Sequence, residues 1–351
     1  MKNFKEIIFY KFSKRQKQAL LLFAILLIFL AFYFSFYINE GTTFYVNTDD
    51  TTTLLKLQQQ IEKAKNTSPF SGNSCKNYKR RALGIIVAQY PETMPLSGIS
   101  QAAVAIEGPT ANPGGVTRIL LIFQCNLPKE VGSIRSVRPY MVDNALGHDV
   151  VLSSWGGASS AIAKIKQLKV DWFDGRANPG GAFFRKNNRY APHNGFARPS
   201  DLWDNVKAQK IRRTNQFKGY KFLEKNKIKP KKATKVIKID YYYPVKFVYD
   251  QKTGKYFRYW NEQKAIDLNT GKQAYADNLI LMKTKQGVLS PGVANVKVTG
   301  SGTAMIYQLG KTIKGRWVKK TSESRLLFLD SKGKEIRMVP GHTWIELVEG
   351  F

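Results

Sequence analysis

The sequence predicts an α+β protein with an N-terminal transmembrane helix, a mixed α/β ectodomain containing a βαβ unit, and a β-rich C-terminal domain. Three observations lead to this prediction: an uncharged stretch near the N-terminus, a strand–turn–helix–strand pattern between residues 149 and 173, and short alternating strands after residue 237. The 351 residues are 43% hydrophobic, which is enough for one or two cores beyond a membrane segment. This composition excludes a wholly disordered chain.

The first element is the uncharged stretch at residues 19–38, ALLLFAILLIFLAFYFSFYI, which has the length of a membrane-spanning helix. Six basic residues and one acid precede it, so the positive-inside rule places residues 1–18 in the cytoplasm. A cleaved signal peptide is the alternative, but the run is long for one and ends in Tyr37 and Ile38 instead of small residues. We therefore predict a single-pass cell-membrane protein whose bulk is extracytoplasmic, with residues 39–78 as a stalk.

The first part of the predicted ectodomain, residues 79–206, is mixed α/β. Short runs rich in β-branched residues predict three strands. The first covers residues 82–89, the second ends at Glu107, and the third covers residues 118–124. A loop with Arg135 and Arg138 then leads into a short helix that ends at Gly147. The next strand, residues 149–154, precedes a Gly-Gly turn, a helix capped by Ser159 or Ser160, and a returning strand. This is a βαβ unit, and the N-terminus of its helix can hold an anion.

The last part, residues 237–351, contains short aromatic and β-branched runs separated by Gly, Pro, Asp and Lys turns. It is predicted to be β-rich. Two arrangements are compatible with this pattern: an independent domain, or additional strands in the sheet of the first domain.

The charge balance predicts an anionic partner. There are 56 Lys and Arg against 25 Asp and Glu, a formal net charge of +31, which attracts nucleic acid, anionic lipid or acidic wall polymer. Residues 207–236, a predicted linker, are especially basic and include Phe217, Tyr220 and Phe222. These aromatics suit base stacking, lipid docking or simple core packing. The extracytoplasmic position favours an anionic envelope polymer or lipid surface over nucleic acid.

Cys75 and Cys125 are the two cysteines of the chain. In an oxidising exterior they can form one disulfide, and two unpaired buried thiols are the alternative.

Four segments carry a resemblance to a known family: residues 97–118, 118–146, 183–194 and 340–347. They read SGISQAAVAIEGPTANPGGVTR, RILLIFQCNLPKEVGSIRSVRPYMVDNAL, FFRKNNRYAPHN and PGHTWIEL. Together they resemble the YerB-like family of bacterial envelope proteins over most of residues 81–351. The resemblance implies an extracytoplasmic, membrane-attached protein with an N-terminal mixed α/β domain and a smaller C-terminal domain. It implies no established activity, and its members are often lipoproteins, whereas this chain carries a predicted transmembrane anchor.

Arg118, Arg135 and Arg138 are the candidate anion-binding residues, with Ser159 as a further donor. Guanidinium groups suit phosphate or carboxylate because they offer two parallel charged hydrogen bonds. The alternative is that these arginines form internal ion pairs with Glu107 and Asp143.

His193 is the candidate for acid–base chemistry, because Arg185 and Asn194 lie near it in a polar loop. A structural or exposed histidine is the alternative, since no general-base partner is evident. No zinc-type ligand spacing and no phosphate-loop motif is present, so we predict no metal and no cofactor. The expected function is a binding or accessory protein of the cell envelope. An envelope hydrolase or transferase using His193 is one alternative, and extracellular nucleic-acid binding is another.

Overall fold

The computed structural model describes residues 66–111 and 115–351, which fall in a single compact unit. The predicted cytoplasmic tail, the predicted membrane segment 19–38 and most of the predicted stalk lie outside the described residues. Among the described residues, no helix is both long and apolar enough to cross a membrane.

Strands form most of the regular structure. In the first half they are β1 Leu83–Ala88, β2 Val104–Pro109, β3 Thr117–Phe123, β4 Val131–Gly132, β5 Val151–Ser154, β6 Trp172–Asp174, β7 Phe183–Arg185 and β8 Gly195–Ala197. In the second half they are β9 Val236–Ile239, β10 Val245–Asp250, β11 Lys255–Trp260, β12 Gln263–Lys264, β13 Tyr275–Ala276, β14 Asn278–Lys283, β15 Gln286–Ser290, β16 Val293–Val296, β17 Gly300–Gln308, β18 Lys311–Lys319, β19 Leu327–Leu329 and β20 Thr343–Val348. Three α-helices lie in the described part: α1 Pro139–Gly147, α2 Ser159–Gln167 and α3 Pro199–Ala208.

One ten-stranded sheet joins the two halves of the chain. Its order is β19-β18-β17-β14-β20-β2-β3-β1-β5-β6. The last strand of the chain, β20, lies between β14 and β2 and runs parallel to both. The C-terminal strands therefore extend the sheet of the first half, which is the second of the two arrangements that the sequence left open.

The two faces of this sheet are covered differently. Ile85 and Val87 face a core shared with β10 and β11 of a five-stranded sheet, in which Phe247 is fully buried. Ile86, from the same strand, faces a second core, where Tyr140 of α1 and helix α2 pack. Continuous burial of β1 and β3 follows from this sandwiching, because alternate side chains enter different cores.

The predicted α+β class is wrong, because the structure is mostly β, with 39% strand against 13% helix. Helices α1 and α2 cover one face near β1 and β5, while the other face is covered by a second sheet. The βαβ unit inside the prediction is present: β5, α2 and β6 follow in order, and the two strands pair in parallel. The class prediction was wrong because twelve of the twenty strands follow α3, whereas no α-helix follows it in the described part of the chain.

The segment before β1 and the basic segment after α3 pack on the same side. Cys75 and Cys125 form a disulfide with Cα atoms 5.4 Å apart. Phe70 is fully buried and stacks on Phe217, with ring centroids 4.6 Å apart. Tyr220 is 7% exposed and its hydroxyl bonds the ring of His148 at 2.7 Å. The aromatics Phe217 and Tyr220 are therefore core residues, as the packing alternative expected.

Candidate anion-binding site

The loop 133–138 carries two of the predicted arginines across the carboxyl ends of β1 and β5. Arg135 N–H donates to Ile86 O of β1 at 3.0 Å, and Val137 N–H donates to Gly156 O at 3.1 Å. Gly156 has a φ of +67°, a conformation that favours glycine. These bonds fix Arg135 and Arg138 at the edge of the sheet where α2 begins.

Arg118 reaches the same edge from β3. It lies opposite Ala88 at the end of β1, and its side chain is only 6% exposed. Its Nη1 donates to Thr117 O at 3.0 Å, whereas its buried Nε has no hydrogen-bond partner. Within the part of the chain that the structure describes, Arg118 has no carboxylate partner.

Arg118, Arg135 and Arg138 form what we call the arginine cluster. The pKa of Arg118 is lowered to about 9, first by burial and then by the positive charges of Arg138 and Arg135. The pKa of Arg135 is lowered by burial, by Arg138 and by Arg185. Burial also lowers the pKa of Arg138. Burial is the first cause of all three shifts, and a bound anion would oppose them.

The cluster offers unused donors as well as charge. The Nε of Arg135 is buried without a hydrogen-bond partner, and its Nη1 donates to Pro192 O at 2.9 Å. Arg138 Nε donates to Thr110 O at 3.3 Å. Backbone carbonyls therefore orient these side chains but do not neutralise them.

The acids that the sequence offered as alternative partners bind elsewhere. Glu107 forms a fully buried ion pair with Arg258 at 2.8 Å. Asp143 pairs with Lys164 at 2.6 Å and accepts a hydrogen bond from Ser322. Neither carboxylate contacts the arginine cluster within hydrogen-bonding distance among the described contacts.

Ser159 is the first residue of α2, and its side chain is exposed. The residue before the helix is Ala158, whose N–H donates to Val137 O at 3.2 Å. Neither Ser159 nor any other side chain caps α2. This places the N-terminus of α2 next to the loop that carries Arg138.

Arg185 and Asn194, the predicted supporting residues, contact each other beside the cluster. Arg185 Nη1 donates to Asn194 Oδ1 at 2.6 Å, and its guanidinium lies 4.4 Å from the ring centre of Trp155. Arg185 is therefore held by an aromatic face and an amide, and it adds a fourth positive charge near Arg135.

His193 lies between the arginines and a tyrosine. Its ring is stacked on Tyr90, with centroids 5.1 Å apart and planes at 9°. Its pKa is lowered by burial first and by Arg135 and Arg118, while Glu92 opposes this. The Nδ1 atom is buried without a hydrogen-bond partner. Near neutral pH the ring is uncharged and has no carboxylate orienting it, so the triad-like support of a general base is missing from the described contacts.

The other two histidines have structural roles. His148 is buried, with its ring nitrogens bonded to Asn144 O and the Tyr220 hydroxyl, both at 2.7 Å. His342 Nδ1 bonds Ala102 O at 2.6 Å. In the described residues, no group of three or more His, Cys, Asp or Glu could hold a metal ion.

Sequence reasoning missed a row of tyrosines that starts at this site. Tyr90 meets the edge of Tyr243 with ring centroids 5.9 Å apart, and Tyr243 meets Tyr242 at 5.0 Å. We call these three residues the tyrosine ladder. One signal was available for Tyr90, which follows β1 at the same sheet edge as the arginines. Tyr242 and Tyr243 come from a distant loop before β10, so local sequence carried no sign of their position.

Two surface cavities lie away from the arginine cluster. One of about 370 Å³ is bordered by Tyr241, Leu347 and Gln286. Another, of about 690 Å³, is bordered by Lys283, Lys285 and Trp317 among others. Neither cavity is bordered by a buried polar side chain with an unpartnered atom, as the arginine cluster is at Arg118. The arginine cluster is therefore the better candidate for a ligand-binding site.

Comparisons with known proteins give family matches for both halves of the chain. Residues 70–212 match the family described as "Protein of unknown function (DUF3048) N-terminal domain", and residues 237–345 match its C-terminal domain. A curated relative, "Putative lipoprotein YerB" of Bacillus subtilis, is 27% identical over 284 residues, covering 77% of this chain and 82% of YerB. The crystal structure of YerB from Bacillus subtilis matches with a TM-score of 0.73 at 23% identity. That match covers 81% of this chain and 97% of the YerB chain and shows a shared fold.

Proposed function

The chain belongs to the DUF3048 family, as its YerB-like resemblance predicted, and we propose that it binds an anionic polymer of the cell envelope through the arginine cluster. One observation carries the proposal: Arg118 is 6% exposed, has an unused Nε donor, lies within electrostatic range of two further arginines and has no carboxylate partner in the part of the chain that the structure describes. A polymer with repeated phosphate or carboxylate groups supplies the missing charge.

The energetic argument favours a ligand over a purely structural role. Moving an arginine out of water without a partner costs several kcal/mol. An anionic ligand that binds the arginine offsets this cost. A guanidinium gives phosphate or carboxylate two parallel charged hydrogen bonds. Arg118 and Arg135 both have a buried Nε available for such a bond.

The proposed location is the outer side of the cytoplasmic membrane. The curated relative is named a lipoprotein, and the disulfide between Cys75 and Cys125 is typical of an oxidising compartment. We propose that the uncharged stretch 19–38 attaches the chain to the membrane, with residues 1–18 in the cytoplasm. The arginine cluster would then face the envelope polymer. Extracellular nucleic-acid binding loses support, because Phe217 and Tyr220 are packed in the core.

A second candidate function is an envelope hydrolase or transferase acting on a phosphate-bearing or glycan substrate. It rests on His193, whose lowered pKa leaves a neutral imidazole beside arginines that could stabilise developing negative charge. His193→Ala would then abolish release of soluble phosphate or sugar from sacculi while polymer binding remains. Release that is absent from the unmodified protein, or unchanged in the variant, argues for a binding protein.

Co-sedimentation of the full chain in neutral detergent with purified sacculi tests the binding proposal. We expect binding to intact sacculi, loss of binding after the anionic polymer is stripped, and loss in Arg118→Met and Arg135→Gln. Arg316→Gln is the matched control, because Arg316 is an exposed arginine on β18, far along the sheet order. Equal binding by stripped sacculi, or equal loss in the control variant, would contradict the proposal.

A further inference from the structure

The tyrosine ladder is continuous with the arginine cluster through one residue, His193. The His193 ring is stacked on Tyr90 and lies within electrostatic range of Arg135 and Arg118. Tyr90, Tyr243 and Tyr242 then lead away from the cluster along the surface. An aromatic surface therefore begins where the positive charge ends.

The ladder is accessible and firmly supported. Tyr242 is 63% exposed, and Tyr90 and Tyr243 are partly exposed. Tyr243 rests on buried Trp260, with centroids 5.0 Å apart. The turn after Tyr90 is held by Arg189, which donates to Thr93 O at 2.6 Å. Rigid tyrosines give contact area at little cost in conformational entropy, and each has a hydroxyl for polar contacts.

The orientation of the rings distinguishes between two kinds of ligand. Tyr90 and Tyr243 are at 89° to each other, and so are Tyr243 and Tyr242. Successive nucleobases need parallel platforms, which these perpendicular rings do not provide. A sugar ring suits them better, because its C–H face packs on one tyrosine while its hydroxyls bond the phenol groups of others.

We propose that the anionic polymer is a glycan, and that the unit recognised is a sugar ring carrying a phosphate. The phosphate lies in the arginine cluster and the sugar ring lies on the tyrosine ladder, with His193 between the two. This inference rests on the proposed anion-binding function and adds the chemical class of the ligand to it.

The test compares small probes that share a phosphate and differ in what is attached to it. Isothermal titration of the full chain in neutral detergent uses glucose 1-phosphate, glycerol 1-phosphate, orthophosphate, ribose 5-phosphate and uridine monophosphate. We expect glucose 1-phosphate to bind about 10-fold more tightly than glycerol 1-phosphate or orthophosphate, the gain of one stacked ring. Uridine monophosphate should bind no more tightly than ribose 5-phosphate, because the two share the sugar phosphate and differ in the base.

Three variants separate the two parts of the site. Tyr243→Leu and Tyr242→Leu should remove the sugar preference and leave orthophosphate affinity unchanged, whereas Arg118→Met should weaken both. Tyr242 is exposed, so its variant keeps the test valid if Tyr243→Leu disturbs folding. Tyr259→Leu is the matched control, because Tyr259 lies on the face of β11 that points away from the ladder and contacts Lys246 there. The neighbouring residue Trp260 lies on the opposite face and supports the ladder.

The outcomes distinguish failure of this inference from failure of the proposed function. Equal affinity for glucose 1-phosphate and orthophosphate, or a preference for uridine monophosphate over ribose 5-phosphate that is lost in the tyrosine variants, overturns the glycan and keeps the anion site. Absence of binding by every probe overturns both.

Discussion

Two buried arginines at neighbouring positions in the fold have opposite environments. Arg258 is fully buried and pairs with Glu107 at 2.8 Å, and its guanidinium lies 4.9 Å from the ring centre of Trp344. Arg118 is 6% exposed and has no carboxylate partner among the described residues. Glu107 is one residue from the backbone partner of Arg118 on β2, yet it bonds Arg258 and Thr117 instead. The comparison shows that Arg258 links the two sheets through an ion pair, whereas Arg118 has no such partner among the described residues, which is why we propose that it binds a ligand.

The largest expected effect is on the paired arginine. Arg258→Met leaves the Glu107 carboxylate buried without its countercharge, so the free energy of unfolding should fall by about 3–5 kcal/mol. Urea denaturation followed by circular dichroism measures this change. The double variant Glu107→Gln with Arg258→Met should recover much of the loss, and a double variant no more stable than the single one would show that the pair is not the cause.

The opposite result is expected for Arg118. Arg118→Met removes an unpaired buried charge, so the free energy of unfolding should rise by about 1–2 kcal/mol. Affinity for the anionic polymer, after its release from sacculi, should weaken by about 30-fold. This corresponds to roughly 2 kcal/mol for the lost charged hydrogen bonds. Calorimetric titration and urea denaturation measure the two effects. A variant that loses stability would place Arg118 with Arg258 as a structural residue.

Glu346 gives a further test of the buried environment around the Glu107–Arg258 ion pair. It is fully buried beside Glu107 and Arg258, and burial, followed by the charge of Glu107, raises its pKa well above the usual value of 4.5. The folded state therefore holds this proton more tightly than the unfolded state, so stability is present at low pH and is lost as pH rises through the raised pKa. Glu346→Gln should abolish this decline and should be more stable than the unmodified protein at neutral pH, by about 1 kcal/mol or more.

Denaturation in urea at a series of pH values from 4 to 9 checks the prediction for Glu346. Glu323→Gln, at an exposed carboxylate, is the control and should leave the pH profile unchanged. If Glu346→Gln lowers stability at neutral pH, the carboxylate is charged in the folded protein and contributes a favourable ion pair.

The smallest effect is expected at His193. Its pKa is lowered by burial and by Arg135 and Arg118, so the ring gains a proton only below its usual range. Protonation adds a positive charge to the site, and phosphate affinity should rise about threefold as pH falls through that pKa. His193→Ala should remove this rise and change affinity little at pH 7.5. Titrations between pH 5 and 8 measure it, and a large loss at pH 7.5 would give His193 a direct role in binding.

Local sequence patterns were sufficient for part of the fold. The strand-like run in β5, the Gly-Gly turn and the amphipathic α2 predicted the βαβ unit, because each signal lies within a few residues. Insertion of β20 between β14 and β2 could not be predicted, since its partners are set by contacts across the whole chain. That insertion joined the C-terminal strands to the first sheet, and the predicted α+β class was wrong because strands predominate over helices.

The position of the candidate site was also predictable in part from local sequence. Arg135 and Arg138 stand in a loop after strand-like runs, and Arg118 starts a strand, so their side chains were natural candidates for one sheet edge. The separation of Glu107 from that cluster depends on Arg258, which is 151 residues further along the chain. Tyr243 likewise comes from a distant loop, directly before β10 of the five-stranded sheet. Non-local contacts of this kind decide which arginine is paired and which is free.

The most direct measurement follows the Nε–H of Arg118 by nitrogen-15 NMR in the full chain, using the missing signal in Arg118→Met for assignment. The structure predicts an Nε–H that lacks a hydrogen-bond partner. Titration with orthophosphate and then with glucose 1-phosphate should shift this resonance and slow its hydrogen exchange, while the Arg258 Nε–H stays unchanged. An Arg118 signal that does not move at saturating phosphate, or that moves equally with Arg258, would contradict the assignment of Arg118 as the anion-binding arginine.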